Sequence, residues 1–397
     1  MVDKKTEIDQ IEDYGKGACA GEQQDKQRQA ADRTSHTSKP AQPDLRAVKR
    51  SRYLGCLLGG GVGDALGYPV EFLRENEIWS DYGPKGIQTL DQAGHPACVS
   101  DDTQMTLFAA NALVYARERK VPARDALWMA YREWLGTQGE DGRMDDPRYP
   151  KMWVYGDRRM HARRAPGNSC LSAIRQSPRG GSMEVPVNNS KGCGTVMRAA
   201  PFGLAVCCDS ADSPEDGCKI AAETAAVDAA LTHGHVMAWA SSSMLAQLIF
   251  RVVHQCPQRD YRLGDVIPHL TFPGEQITRR FLDWAVELAL DPAVTDLDGI
   301  HALGEGWVAE EALAIAVFCA VRYQDDFAAA IRAALNHKGD SDSTGAICGN
   351  ILGAWLGKEA VEAAFDLENL ELRDVIEKMA CQLLEAVEGP DAPDCQG

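Results

Sequence analysis

From about residue 46 onward, apolar side chains recur at three- and four-residue intervals with few interruptions, and this periodicity constrains the fold more than any single motif. The runs cover roughly 104–118, 123–136, 219–231, 236–255, 276–290, 307–322, 327–336, 344–356 and 369–387. Stretches of alternating β-branched residues are scarce. Segments rich in Gly, Pro and Asp, such as 139–150 and 291–306, separate the runs and read as loops. The pattern predicts an all-α fold, one large helical domain over 46–389 followed by a short tail over 390–397. A chain of 397 residues with 45% hydrophobic content has ample material for such a core.

One predicted helix is unusual. Gly55, Gly59, Gly60, Gly61, Gly63 and Gly67 fall within thirteen residues. Each would weaken an exposed helix by about 1 kcal/mol. They make sense in a central helix whose neighbours approach closely. A phosphate-binding glycine loop competes with that view, but no Gly-Lys-Ser/Thr follows and no strand precedes. Asp64, within the segment, suits a buried hydrogen-bonding role. Glu71 lies just beyond, among apolar neighbours that would raise a carboxyl pKa and suit acid–base work; a surface or capping glutamate is the alternative.

Two short acidic clusters carry the strongest chemical signal. Ser100-Asp101-Asp102-Thr103 precedes one apolar run and Asp340-Ser341-Asp342-Ser343-Thr344 precedes another. Ser or Asp in that position also reads as a helix N-cap. Capping needs one such side chain, and the second cluster offers five in a row. The excess oxygen suits hard divalent cations, Mg²⁺ or Mn²⁺ rather than zinc. The spacing does not fit a calcium EF-hand loop.

Three polar, glycine-containing segments lie between the clusters: Pro166–Cys170, Gly192–Pro201 and Thr232–His235. The first two offer backbone N–H groups for phosphate or ribose oxygens. Arg198 could meet an anion or pair with a buried acid. His233 and His235 without a third ligand are weak metal evidence; a histidine that ends a helix or donates one hydrogen bond is the simpler expectation.

Residues 1–45 differ in character, being polar and poor in large apolar side chains, and are expected to form a flexible arm. Within it, Glu7–Tyr14 has three-residue apolar spacing, with Thr6 as a candidate cap, and suits either a solvated tail or an arm that folds on a partner. The net charge of −17 argues against nucleic-acid or anionic-membrane partners. No signal peptide and no stretch near the length of a membrane span is evident. The 13 cysteines are scattered and form no C-x-x-C pair, so they read as reduced thiols in a cytoplasmic protein.

Taken in order, Ser100–Thr103, Gly192–Pro201, Thr232–His235 and Gly339–Gly345, with Gly55–Gly67 as an opening helix, resemble the ADP-ribosylglycohydrolases. The type includes the dinitrogenase reductase-activating glycohydrolases and the ADP-ribosylarginine hydrolases. The resemblance spans roughly residues 50–360. It implies a single compact orthogonal helical domain with a binuclear Mg²⁺ or Mn²⁺ cleft, and an enzyme that removes ADP-ribose from modified side chains of proteins, most often arginine. Carried over by motif, the metal ligands are Ser100, Asp101, Asp102, Asp340, Asp342 and Ser343, with Asp342 as the bridge. Ser100 and Ser343 stand where the family more often has Thr. Glu71, Asp101 and Asp342 are the implied catalytic residues, the Glu71 match being looser. Asn168, Ser169, Gly192, Gly194, Thr195, Met197 and His233 match segments that line the ADP-ribose cleft.

Two parts depart from the pattern, the arm and the stretch 365–397, within which 366–388 is expected to be helical. Some relatives with N-terminal extensions look like immunity proteins against ADP-ribosyltransferase toxins. That resemblance implies a toxin partner, bound through residues 1–45, in addition to the modified protein. An arm that blocks such a partner's active site, independent of catalysis, is the alternative function.

Overall fold

The computed structural model describes residues 44–140, 151–206, 213–254 and 261–389. The expected N-terminal arm, the 390–397 tail and most of the 139–150 loop lie outside the described residues. Among the described residues all regular structure is helical, with only isolated bridge pairs besides.

The glycine-rich segment is one long helix, Leu45–Gly67, buried from Tyr53 to Gly67. It runs antiparallel to Ser341–Leu356, itself buried from Ser341 to Ala354. Glycines at every fourth position share one helix face, and here they form a ladder: Gly55 faces Gly353, Gly59 faces Gly349, and Gly63 faces Gly345. A methyl group added at Gly59 would sit 2.3 Å from the Gly349 carbonyl oxygen, and one at Gly63 2.0 Å from that of Gly345. No side chain fits between the backbones. The last rung is Gly67, where an added carbon would lie 2.5 Å from the Asp342 Cα. The ladder therefore ends at the second acidic cluster. Because the glycines lie inside a regular helix, their N–H groups are spent within it, which removes the phosphate-loop alternative.

Around this pair pack Arg373–Glu388 and Lys358–Ala364 against the first helix, and Ala309–Arg322 and Phe327–Leu335 against the second. Asp101–Arg119 with Ala123–Thr137, and Pro214–Thr232 with Val236–His254, form further packed pairs. Val236–His254 is, contrary to the sequence expectation, long and apolar enough to cross a membrane by length and composition, and most of it is buried inside the fold.

The long periodic runs correspond to helices within a few residues. Two expectations need correction. The 291–306 segment contains a two-turn helix, Asp296–Leu303, capped by Thr295, whose hydroxyl accepts from Asp298 N at 3.2 Å. Two turns show too few apolar repeats to stand out in sequence. The expected 366–388 helix is broken: a short 3₁₀ turn at Leu367–Asn369 is followed by Leu372 at φ +61°, and the helix starts only at Arg373. The intervening backbone pairs instead with the loop before the first cluster. Ala97 N donates to Asn369 O at 2.8 Å, and Glu371 N donates to Ala97 O at 3.0 Å.

Candidate active site

The first cluster opens the Asp101–Arg119 helix, and its capping is divided among several groups. The Ser100 hydroxyl accepts from Asp102 N at 3.2 Å. Asp64, reaching across from the glycine helix, accepts from Ser100 N at 2.9 and 3.1 Å and from Thr103 N at 3.0 Å. Asp101 Oδ2 accepts from Gly167 N at 3.1 Å. With the helix end served this way, Asp102 Oδ2 is buried and has no hydrogen-bond partner.

The second cluster sorts its side chains by direction. Ser341 donates to His337 O at 3.1 Å, and Thr344 donates to Ala334 O at 2.7 Å. Asp340, at the N-cap position, makes no capping bond, and its Oδ2 is buried without a partner. Asp342 accepts from Ser343 N at 2.9 Å. The two clusters meet: the Ser100 hydroxyl hydrogen-bonds the Asp342 carboxylate. Ser343 and the Cys193 thiol both reach Asp340.

Glu71 completes the group. One carboxylate oxygen each from Glu71, Asp340 and Asp342 lie within 4.8 Å of one another, a spacing that one cation could span. Glu71 Oε2 is a third buried carboxylate oxygen without a partner. Glu71 therefore does not cap a helix. Its pKa is pushed up to about 10, first by burial and then by the charges of Asp342, Asp340, Asp101 and Asp64. Burial raises Asp101, Asp102 and Asp340 well above the usual carboxylate range, and raises Asp342. Among the described residues none of these carboxylates has an ion pair. Buried acids this close need countercharge, and hard-oxygen donors with free lone pairs fit a divalent cation. The residues present therefore suit the group that the sequence implied.

A fixed frame holds the first cluster. Arg164 forms a two-pronged pair with Glu371, one prong being Nη2 to Oε1 at 2.9 Å. Arg164 also donates to Val99 O at 3.0 Å, and Val99 N donates to Glu371 Oε2 at 3.2 Å. Sequence reasoning missed this staple, because residues 207 positions apart give no local signal. It also missed the rim, where the Phe72 and Trp307 rings stack at 5.3 Å. Phe72 follows Glu71 directly and holds a left-handed backbone, φ +68°. Trp307 follows Gly306, where an added methyl would lie 3.2 Å from Asp340 Cβ.

The expected cleft residues are distributed as follows. Asn168, exposed, starts the Asn168–Gln176 helix. Ser169 Oγ lies 2.8 Å from Ser190 Oγ, which in turn accepts from Gly192 N at 3.3 Å. Gly192 leads into a 3₁₀ helix, Cys193–Arg198. Gly192 and Gly194 both lie against the His233 ring. Thr195 and Met197 turn inward: Thr195 donates to Ala238 O at 3.3 Å, and Met197 is 2% exposed. Of the two histidines, His235 accepts from Met237 N at 3.2 Å, and His233 is the C-cap residue of Pro214–Thr232. Neither joins the carboxylate group. Arg198 pairs with buried Asp228 at 3.0 Å, the second of its two expected roles.

Known proteins match this architecture. A solved structure described as an ADP-ribosylglycohydrolase-related protein complex superimposes with a TM-score of 0.60, at 23% identity, over 86% of this chain and 99% of that one. The ADP-ribosyl-[dinitrogen reductase] glycohydrolase of Rhodospirillum rubrum is 24% identical over 333 residues, 81% of this chain and 91% of that protein. An uncharacterized protein of Archaeoglobus fulgidus is 28% identical over 353 residues, 84% of this chain and 96% of that protein. The family model for ADP-ribosylglycohydrolase matches residues 45–393, so the broken C-terminal segment belongs to the shared domain. The chain therefore belongs to the ADP-ribosylglycohydrolase family, metal-dependent enzymes that remove ADP-ribose by hydrolysis.

Proposed function

We propose that this protein cleaves the N-glycosidic bond between ADP-ribose and arginine side chains of a modified protein, with two Mg²⁺ or Mn²⁺ ions held by Ser100, Asp101, Asp102, Asp340, Asp342 and Ser343. One observation carries this. Three buried carboxylate oxygens, on Glu71, Asp102 and Asp340, lack any partner within one acidic group. Bound cations would supply charge neutralisation at the ribose hydroxyls and activation of water.

The protein's own groups take the remaining work. Glu71, whose pKa is raised by burial and by the neighbouring carboxylates, is placed to exchange a proton with the departing guanidine. The acidic lining favours the oxocarbenium-like state reached as that bond breaks. Asp342, tied to both clusters, keeps them in register. In the Gly192–Gly194 turn, Gly192 N donates to Ser190 Oγ and Cys193 N to Trp307 O, which leaves the Gly194 N–H to meet the diphosphate. Among the described residues no cysteine is in a disulfide, which agrees with the proposed cytoplasmic location.

The test is release of ADP-ribose from arginine- and serine-modified proteins. Release from the arginine substrate should stop with EDTA and return with Mg²⁺ or Mn²⁺. Asp340→Ala and Asp342→Ala should abolish it; unchanged rates would refute the assignment. The family match begins at residue 45, so the preceding residues lie outside the matched domain. For that segment we propose binding to an ADP-ribosyltransferase toxin. A variant lacking residues 1–45 that still neutralises such a toxin fully would remove this role.

A further inference from the structure

His233 is 1% exposed, and its Nε2 is a buried atom with no hydrogen-bond partner. Its other ring nitrogen, Nδ1, lies 2.8 Å from Thr232 Oγ1. The same Thr232 oxygen lies 3.0 Å from Arg198 Nη2. Arg198 is fully buried and held from several sides. Its Nε donates to Asp228 Oδ2 at 3.0 Å and to the Tyr131 hydroxyl at 2.9 Å, and its Nη1 donates to the Gly194 carbonyl.

A guanidinium can only donate. Thr232 Oγ1 therefore accepts from Arg198, and its single hydroxyl proton must go elsewhere. His233 Nδ1, at 2.8 Å, is the acceptor in reach. Were Nδ1 protonated, the threonine oxygen would face two donors, and its own proton would be buried without an acceptor. That costs about as much as a lost hydrogen bond. The arrangement leaves Nδ1 as acceptor and places the ring proton on Nε2. Burial and the Arg198 charge also hold the His233 pKa down at about 3, so the ring is neutral at ordinary pH.

The protonated Nε2 faces the glycine turn. A methyl group added at Gly192 would come within 3.3 Å of Nε2, and one at Gly194 within 3.4 Å of Cε1. We propose that Arg198 and Thr232 are positioning residues that lock His233 in its Nε2–H tautomer, so that a neutral, buried donor awaits an oxygen of the bound nucleotide diphosphate. This rests on the proposed function only for the identity of the ligand. Arg198 thus acts twice on the turn, by anchoring the Gly194 carbonyl and by setting the proton on the histidine.

The experiment is long-range proton–nitrogen NMR on the ¹⁵N-histidine-labelled full chain, with His233→Gln to assign the resonances. Wild type should show His233 as neutral, protonated at Nε2, with Nδ1 in the unprotonated region. Observation of the Nδ1–H tautomer would overturn the relay without recourse to any variant. Thr232→Val should mix the tautomers and weaken ADP-ribose binding about tenfold, while Mn²⁺ affinity stays unchanged. Thr232→Ser should restore both signals. A wild-type tautomer that survives Thr232→Val, or binding that survives loss of the tautomer, would refute the relay's role. Failure of wild type to bind ADP-ribose in Mn²⁺ would instead refute the proposed function, and the tautomer would still be readable.

Discussion

Asp64 accepts the backbone N–H of Ser100 through both carboxylate oxygens, at 2.9 and 3.1 Å, and thereby pins the first acidic cluster to the glycine helix. Thr103 N adds a third bond at 3.0 Å. The helix that carries Asp101 and Asp102 is thus capped from another element, and those two carboxylates stay available. Asp64→Ala should leave two buried donors unserved, at a cost of about 1–3 kcal/mol. It should also weaken Mn²⁺ binding, although Asp64 is not among the proposed ligands. Urea titration with calorimetric Mn²⁺ titration checks both effects.

Divalent cations should stabilise the protein measurably. Each binds a site that the unfolded chain lacks, so Mn²⁺ at 100 times its Kd should add about 2.7 kcal/mol. Asp102→Asn and Asp340→Asn should reduce this gain and raise the stability of the metal-free form, since each removes a buried like charge. Thermal melts in EDTA and in Mn²⁺ separate the two effects.

The glycine ladder should tolerate no side chain. Gly63→Ala places a carbon 2.0 Å from the Gly345 carbonyl, and Gly349→Ala places one 2.0 Å from that of Gly59. Overpacking of this kind costs about 1–3 kcal/mol or more. Gly156→Ala, where nothing lies within 4 Å, is the control and should change stability little. Denaturant midpoints with unchanged m-values would check this.

Acid should destabilise the fold partly through His254. Burial holds its pKa down to about 3 from 6.5, with Lys49 and Arg52 adding to the effect. The unfolded chain takes up that proton as pH falls through 6.5, whereas the folded chain does not. This contribution to stability is therefore complete above pH 6.5 and declines as pH falls towards 3. His254→Phe, beside the Tyr53 and Phe250 rings, should show a shallower acid decline. Unfolding free energies across this range test the sign.

The Arg164–Glu371 pair should matter more to the site than its distance in sequence suggests. Arg164→Ala would leave Glu371 buried without its cation and free the loop that leads to Ser100. Stability should fall by about 3–5 kcal/mol, the cost of breaking a buried pair, reduced towards 1 by the partial exposure of Arg164. Mn²⁺ affinity should fall with it. The Glu371→Gln variant separates charge from hydrogen bonding.

Much of this architecture was legible in residue order. Helical periodicity located the long elements because each buries a continuous stripe, and the crowded glycines of 55–67 announced a close partner. The excess oxygen in Asp340–Thr344 marked a site, because one cap cannot use five polar side chains. What stayed hidden depends on the third dimension. Neither the Asp64 bonds nor the Arg164–Glu371 staple leaves a periodic trace. The break at Leu372 was invisible because the pairing that causes it lies with Ala97, far back in the chain. Phe72 and Trp307 looked like ordinary apolar residues until their rings were seen to stack.

The ladder also limits how this chain can change in length. Asp64 lies beside one of its rungs and Asp342 at its end. A single residue inserted between Gly63 and Gly67, or between Asp342 and Gly345, would turn the rest of its helix by about 100°. The glycines would then face side chains, and the acids would point away from one another. Substitution can be absorbed at many positions here, but insertion within either helix would break the core packing and the acidic site together. Tolerated length changes are expected in the connections, where neither function depends on register.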